Sequence, residues 1–185
     1  KKKKNYSQQE PRLVVHFALM TPGVLGVASI KQKYDDGSAD FHDIVSEIAN
    51  IERSQAKTIN LGLFYGMGRM KLQAQLGLNE EEAKSLLDKY HQRVPFVKQL
   101  IQQVMNRAQD SGKIRTLLGR RCRFNMWEPN QFGVHKPLKH EEAIKEYGPG
   151  IRRAFTYKAL NKLVQGSAAD MTKKTMIDLR AEGIT

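Results

Sequence analysis

Phe41, Ile44, Val45, Ile48 and Ile51 recur at the three- and four-residue intervals that line one face of an α-helix. The same period returns at Leu86, Leu87, Tyr90 and Val94, and along Leu160, Leu163, Val164, Ala168, Met171 and Met176. A chain patterned in this way must bury helix faces against one another, and strand-type alternation is nowhere sustained. The fold class is therefore mainly α. Asp40 is placed to cap the first of these helices, and Asn79, three residues before Glu82, makes a capping-box pair for the second. Pro95 should kink or restart that helix, which then runs through Val97, Leu100, Ile101 and Val104 to Gly112. A last helix is expected from about Ile151 to Glu182. Leu13 to Met20 reads as a strand end continuing into a helix, and the Pro- and Gly-bearing stretch from Thr21 to Asp40 as a connecting loop. Lys113 to Pro137 reads as loop-rich and basic, with a short hairpin around Gly119.

The stretch "ERSQAKTINLGLFYGMG", Glu52 to Gly68, follows the first of these helices directly. On a helix, Arg53, Lys57, Leu61 and Tyr65 advance by four and form one stripe, cationic at its start and aromatic at its end. Ala56, Ile59 and Leu63 fall on the other side, where a core can take them. Cations suit a triphosphate and a flat ring suits a base pair. Spacing alone also leaves open a solvated basic face ending in a buried tyrosine.

The chain has 185 residues, long enough for one ordinary domain or parts of two. Lys and Arg outnumber Asp and Glu by 31 to 19, which points to a polyanionic partner, nucleic acid before an acidic membrane surface. The single cysteine, Cys122, excludes an internal disulfide and a cysteine-rich zinc site, and fits a reducing, intracellular setting. No apolar run reaches the ~20 residues that span a bilayer, so no membrane partner is expected. The opening "KKKK" reads as a cut or added end and is set aside from the fold.

With Arg53, Lys57, Asn60, Gly62, Tyr65 and Gly66 in place, the string "RSQAKTINLGLFYG" resembles the nucleotide-binding helix of family A DNA polymerases, the bacterial polymerase I and phage replicative group. The resemblance implies that Arg53 and Lys57 grip the incoming triphosphate and that Lys57 donates a proton to the leaving pyrophosphate. It implies too that Tyr65 sits by the nascent base pair. Leu61 stands where the family usually has Phe or Tyr against the incoming sugar. Gly62 and Gly66 read as room for a template base and for movement of the helix.

A second, separate string, "NYSQQEPR", resembles the family's palm motif Asp-Tyr-Ser-Gln-x-Glu-x-Arg. Gln8 and Glu10 would then face the nucleotide, with Glu10 as the gate against a ribose 2′-OH. Asn5 takes the place of the metal-binding aspartate, and the Tyr6 carbonyl would be the neighbouring metal ligand. Two Mg²⁺ ions need anionic oxygens around them, and a neutral amide supplies none. "DFH" is similar to a family segment whose histidine contacts the triphosphate, which gives His42 that role; from the residues alone a helix-surface histidine fits as well. "TLLGRR" resembles a family turn, placing Arg120 and Arg121 near the DNA backbone, with ordinary surface arginines as the other reading. "NKLVQGSAADM" resembles the palm helix whose Asn and Gln read the minor groove, here Asn161 and Gln165. Gly166 inside that helix indicates a close approach. Tyr157 stands where the family often has another arginine.

The resemblance implies a helical fingers subdomain of a polymerase right-hand fold with fragments of the α/β palm. Palm pieces would span 1–28 and 151–185, with the fingers over 29–150. It implies a primer-template DNA and a dNTP as partners, allows a processivity factor, and places the work in the cytoplasm of a bacterium or phage-infected host. The family's second carboxylate motif, His-Asp-Glu, does not occur in the 185 residues, so this chain alone is expected to be inactive. A phage-type RNA polymerase is the enzyme alternative, disfavoured by Glu10 in its Ser-Gln-x-Glu setting. A non-catalytic nucleic-acid-binding module is the alternative of another class.

Overall fold

The computed structural model describes residues 9–35, 40–131 and 133–183. It is mainly helical and divides into two compact units, one within Lys1–Ile101 and one within Gln102–Thr185.

The first unit is all helix. α1 (Gln9–Met20) has no strand at its start, contrary to expectation. Val14 and Val15, within the stretch read as a strand end, are both buried, so packing overrides the β preference of their branched side chains. The expected loop after it contains α2 (Ala28–Asp35), anchored by the buried Val27 and Ile30 and by a Lys31–Asp35 ion pair one turn apart. Two apolar anchors are too few to raise a periodic signal among its glycines and charges.

α3 (Phe41–Ala49) begins at Asp40 as its sequence requires, and closes on Asn50 in the left-handed conformation at φ 50°. α4 (Arg53–Phe64), α5 (Arg69–Leu76) and α6 (Glu80–Arg93) follow, the last with the Asn79–Glu82 capping box. Pro95 restarts the chain as α7 (Pro95–Ser111), which belongs to the first unit as far as Ile101 and to the second from Gln102, the first turn of a helix being where proline costs no hydrogen bond. The core gathers on Phe41, which is fully buried against Phe64 and Phe96 at ring-centroid distances of 5.8 and 6.3 Å. Ile44, Val45, Ala56 and Ile59 fill in around it, but Leu63 is only half-buried.

In the second unit, β1 (Lys113–Arg115) and β2 (Arg121–Arg123) form the expected antiparallel hairpin. The region beyond it carries more order than its composition indicates. β3 (Met126–Pro129) is the centre of a three-stranded antiparallel sheet between β4 (Leu138–Lys139) and β5 (Ile151–Arg153), with α8 (His140–Tyr147) joining the two edges.

The expected helix from Ile151 does not start there: α9 spans Ala159–Ala181 after a short 3₁₀ turn at Thr156–Lys158. Two features hold residues 151–153 in the sheet. Arg152 pairs with Glu128 at 3.1 Å across the strands. Arg153 donates to the Gln109 and Phe124 carbonyls, both at 3.0 Å, and lays its guanidinium 4.5 Å from the Trp127 ring centre. Phe155, at φ 63°, then turns the chain into α9.

Because Phe41 packs both α4 and α7 onto α3, Phe41→Ala is expected to cost about 3–5 kcal/mol of stability. A denaturant titration that moves the midpoint by far less would show that the aromatic cluster collapses without it.

Candidate nucleotide and nucleic-acid sites

In the first unit the geometry starts from one helix end. Asp40 accepts hydrogen bonds from the His42 and Asp43 amides at 2.8 and 3.0 Å, and Asp43 accepts from the Asp40 amide at 3.3 Å. These two capping carboxylates also take Arg53, whose Nη2 lies 2.6 Å from Asp40 and whose Nε lies 2.5 Å from Asp43. Arg53 is thus oriented by two carboxylates, which raise its pKa further, while about half its side chain stays exposed. Lys57, one turn on, is exposed. The charges of both cations reach His42.

His42 is not the surface residue that one reading of its position suggested: only 6% of it is exposed. The Tyr90 hydroxyl, fully buried, donates to Asn60 Oδ1 at 2.5 Å, and Asn60 Nδ2 lies 3.1 Å from His42 Nδ1. Burial pushes the Tyr90 pKa up and keeps its hydroxyl a donor. With its oxygen taken by Tyr90, Asn60 presents N–H to the histidine, so Nδ1 accepts and the neutral ring carries its proton on Nε2. Burial is the largest cause that lowers the His42 pKa; Arg53 and Lys57 add to it, and Asp40 and Asp43 oppose it.

α4 ends at Phe64, one residue short of Tyr65, yet Tyr65 continues the Arg53–Lys57–Leu61 stripe. Its hydroxyl donates to Glu10 on α1 at 2.7 Å, so two residues picked out in separate motifs meet. Leu61 is half-buried between them and the cations. The glycines have local tasks. Gly66, at φ 68°, closes the helix: its amide bonds Leu63 and the Met67 amide bonds Gly62, a Schellman stop. Gly62 is buried, and a Cβ there would come within 2.8 Å of Leu72 on α5. Asn5, Tyr6 and Gln8 lie outside the described residues.

In the second unit the turn between β1 and β2 is bolted to α9. Thr116 donates to Asp170 at 2.6 Å, and Arg120 donates to Asp170 at 2.8 Å and to the Gly166 carbonyl at 2.9 Å. The Leu117 amide donates to Ser167 at 2.9 Å. The bond from Thr116, opposed by desolvation and reinforced by Arg120, holds the Asp170 carboxyl below its usual range. The close approach anticipated at Gly166 is real: a Cβ there would lie 2.8 Å from Thr116 and 3.0 Å from the Arg120 guanidinium. Arg120 is therefore a bracket between the turn and α9, whereas Arg121 is exposed on β2. Asn161 and Gln165, four residues apart on α9, are both half-exposed. The Asp40–Asp43 hold on Arg53 and the place of Tyr90 in a polar network were not legible in the sequence. No short spacing links residues ten, thirteen or thirty apart.

Among the described residues no group of three or more His, Cys, Asp and Glu side chains could hold a metal ion. The residues expected beside Mg²⁺, Asn5 and Tyr6, lie outside the described residues, and Asn5 offers a neutral amide where an anionic oxygen is needed. Among the described residues, too, no helix is long and apolar enough to cross a membrane.

Residues 3–183 match the model of DNA polymerase family A. The chain is 31% identical to a DNA-directed DNA polymerase of Pseudomonas phage M6, matching 97% of this chain and 30% of that protein. It is 32% identical to DNA polymerase I of Streptococcus pneumoniae, matching 95% of this chain and 18% of that protein. Among solved structures it resembles the POL domain of Pol1 from M. smegmatis, in a complex with DNA primer-template and dNTP. That likeness has a TM-score of 0.66 at 25% identity, over 97% of this chain and 30% of the other. The chain thus spans less than a third of the length of the relatives it matches.

His42 and His91 are both held below the ordinary histidine value of 6.5, chiefly by burial. The unfolded chain therefore takes up these protons at a higher pH than the folded one. Their contribution is intact above 6.5 and is lost as the pH falls through the depressed values. Urea midpoints are expected to fall between about pH 7 and pH 5, and less steeply in His42→Gln. Equal slopes in the two proteins would show that His42 is protonated without penalty.

Proposed function

Because the chain belongs to DNA polymerase family A, we propose that it is the fingers region with adjoining palm pieces of a template-dependent DNA polymerase. Palm would comprise 1–28 and 151–185, and fingers 29–150. The observation that carries this reading is the order of groups along α4: two cations and a neutral histidine at one end, a Tyr65–Glu10 pair at the other. A deoxynucleoside triphosphate has the same polarity, polyanionic at one end and flat at the other.

In this reading Arg53 and Lys57 bind the triphosphate oxygens, and His42 donates from Nε2, the nitrogen its contact with Asn60 leaves over. Lys57 supplies the proton that the departing pyrophosphate takes as the primer 3′-OH attacks. Tyr65 carries the base pair on its ring and steadies the Glu10 carboxylate, which crowds a ribose 2′-OH. Gln8 lies on the same nucleotide, and Leu61 contacts the sugar as an aliphatic surface in place of a ring. In the second unit Asn161 and Gln165 meet acceptors in the minor groove, and Arg121 a phosphate. Arg120 acts on DNA through the turn it holds. The partners are primer-template DNA and a dNTP, in a bacterial or phage-infected cytoplasm. Nothing in the relatives or the described surface supports a processivity factor.

The family works with divalent metal in general. The two Mg²⁺ ions would fall to Asn5, the Tyr6 carbonyl and carboxylates these 185 residues do not offer. Primer extension by the chain alone is expected to fail in Mg²⁺ and in Mn²⁺.

Nucleotide recognition is tested separately, by primer-template binding with and without dNTP. The complementary dNTP is expected to tighten DNA binding and a mismatched one to leave it unchanged, which a non-catalytic binding module would not do. Arg53→Ala and Lys57→Ala should each weaken the dNTP effect by roughly 10- to 100-fold, the worth of a charged hydrogen bond. Asp43→Asn should strengthen it a few-fold, because the triphosphate then competes with one carboxylate fewer for Arg53. A weaker dNTP effect in Asp43→Asn would mean that the carboxylates aim Arg53 and do not compete for it.

A further inference from the structure

The β1–β2 hairpin repels itself. Its register sets Lys113 opposite Arg123 and Arg115 opposite Arg121, with Ile114 opposite Cys122 between them. Strand side chains alternate, so the four cations share one face, all exposed, while Ile114 is buried on the other. Like charges directly opposite each other on a sheet cost stability. None of the four has a carboxylate ion-pair partner among the described residues, although every other arginine of the adjoining strands and turn is engaged. Arg120 holds Asp170, Arg152 holds Glu128, and Arg153 is spent on two carbonyls and the Trp127 ring. Arg115 donates to the Gly119 carbonyl, at 3.3 Å.

The hairpin cannot relieve this repulsion by fraying. Its turn is fastened to α9 through Thr116, Leu117 and Arg120. Its open end is closed by the Phe124 amide on the Gly112 carbonyl at 2.8 Å, with Arg153 on the Phe124 carbonyl. Charge held at a cost, on a rigid support, needs a partner that removes the cost. The cations stand about 7 Å apart along each strand and about 5 Å apart across the pair. A patch of that extent suits a row of phosphates; a single anion would meet two cations at most. Duplex DNA offers such a row, with one charge per about 1.7 Å of its axis.

We propose that the exposed face of β1–β2 is a ledge for the phosphate backbone of duplex DNA, with Lys113, Arg115 and Arg123 acting beside Arg121. The proposal rests on the reading that α9, in the same unit, meets a duplex through Asn161 and Gln165. It adds three contacts that neither the motifs nor the relatives assign, and it leaves Arg120 to its structural task.

The test is binding of the 185-residue chain to a fluorescein-labelled hairpin primer-template across a series of NaCl concentrations, for wild type, Lys113→Glu and Arg115→Glu. Each substitution puts a carboxylate opposite an arginine, so the hairpin gains a cross-strand ion pair as it loses cationic charge. Both variants are expected to melt at or above the wild-type temperature. Both should bind DNA at least tenfold more weakly at low salt, with a log K against log [NaCl] slope shallower by about 1–2. Arg115→Lys/Arg121→Lys keeps the charge and should keep the slope.

Unchanged slopes in both glutamate variants would overturn the ledge. So would a lowered melting temperature with unchanged slope, which would make these residues structural only. The dNTP-dependent tightening of DNA binding is read in the same assay. Its loss in wild type with the slope change intact would overturn the polymerase reading and leave the ledge standing.

Discussion

A buried hydrogen-bond relay governs the arrangement of the first unit. Tyr90 on α6, Asn60 on α4 and His42 on α3 are all inside the core, where each polar group left unpaired would cost about 1–3 kcal/mol. They can be satisfied together only in one register of the three helices. That register brings His42 within reach of the Arg53 and Lys57 charges and selects the ring nitrogen that carries its proton. A core of Phe41, Ile44 and Ile59 alone would hold the helices together, but it would tolerate sliding; a directional relay does not. Chemistry at the surface of α4 thus depends on polar contacts beneath it.

The second unit uses the same economy with a carboxylate. Asp170 receives both Thr116 and Arg120, and through them the hairpin turn is fixed to α9 at the point where Gly166 admits it. An arginine that its motif suggested as a DNA contact is committed to this bracket. Among the described residues, the cations of the hairpin face have no carboxylate partner, while Arg120 and Arg152 beside them do. Which cation is held in an ion pair follows from where the few carboxylates are, in a chain with 31 basic residues against 19 acidic ones.

Elements with strong local chemistry were legible in the sequence: the Asp40 and Asn79 caps, the restart at Pro95, the turn at Gly119 and the period of α3, α4 and α6. Each depends on residues within a few positions of one another. The misread segments depend on distant partners. Val14 and Val15 are helical because both are buried. Residues 151–153 are a strand because Arg152 and Arg153 reach Glu128, Gln109 and Phe124. α2 was hidden by having only two apolar anchors.

The sequence by itself determined the helical class, the family and the stripe of Arg53, Lys57, Leu61 and Tyr65, because a repeat of three to four residues and a contiguous motif are local properties. Only the tertiary structure decided what those residues touch. Tyr65 meets Glu10 from 55 positions away, Arg53 is shared between the Asp40 and Asp43 carboxylates at the start of α3, and His42 lies inside the core. Such pairings are set by how helices pack and by which buried polar atoms must find partners. Neither is written in the spacing of residues along one helix.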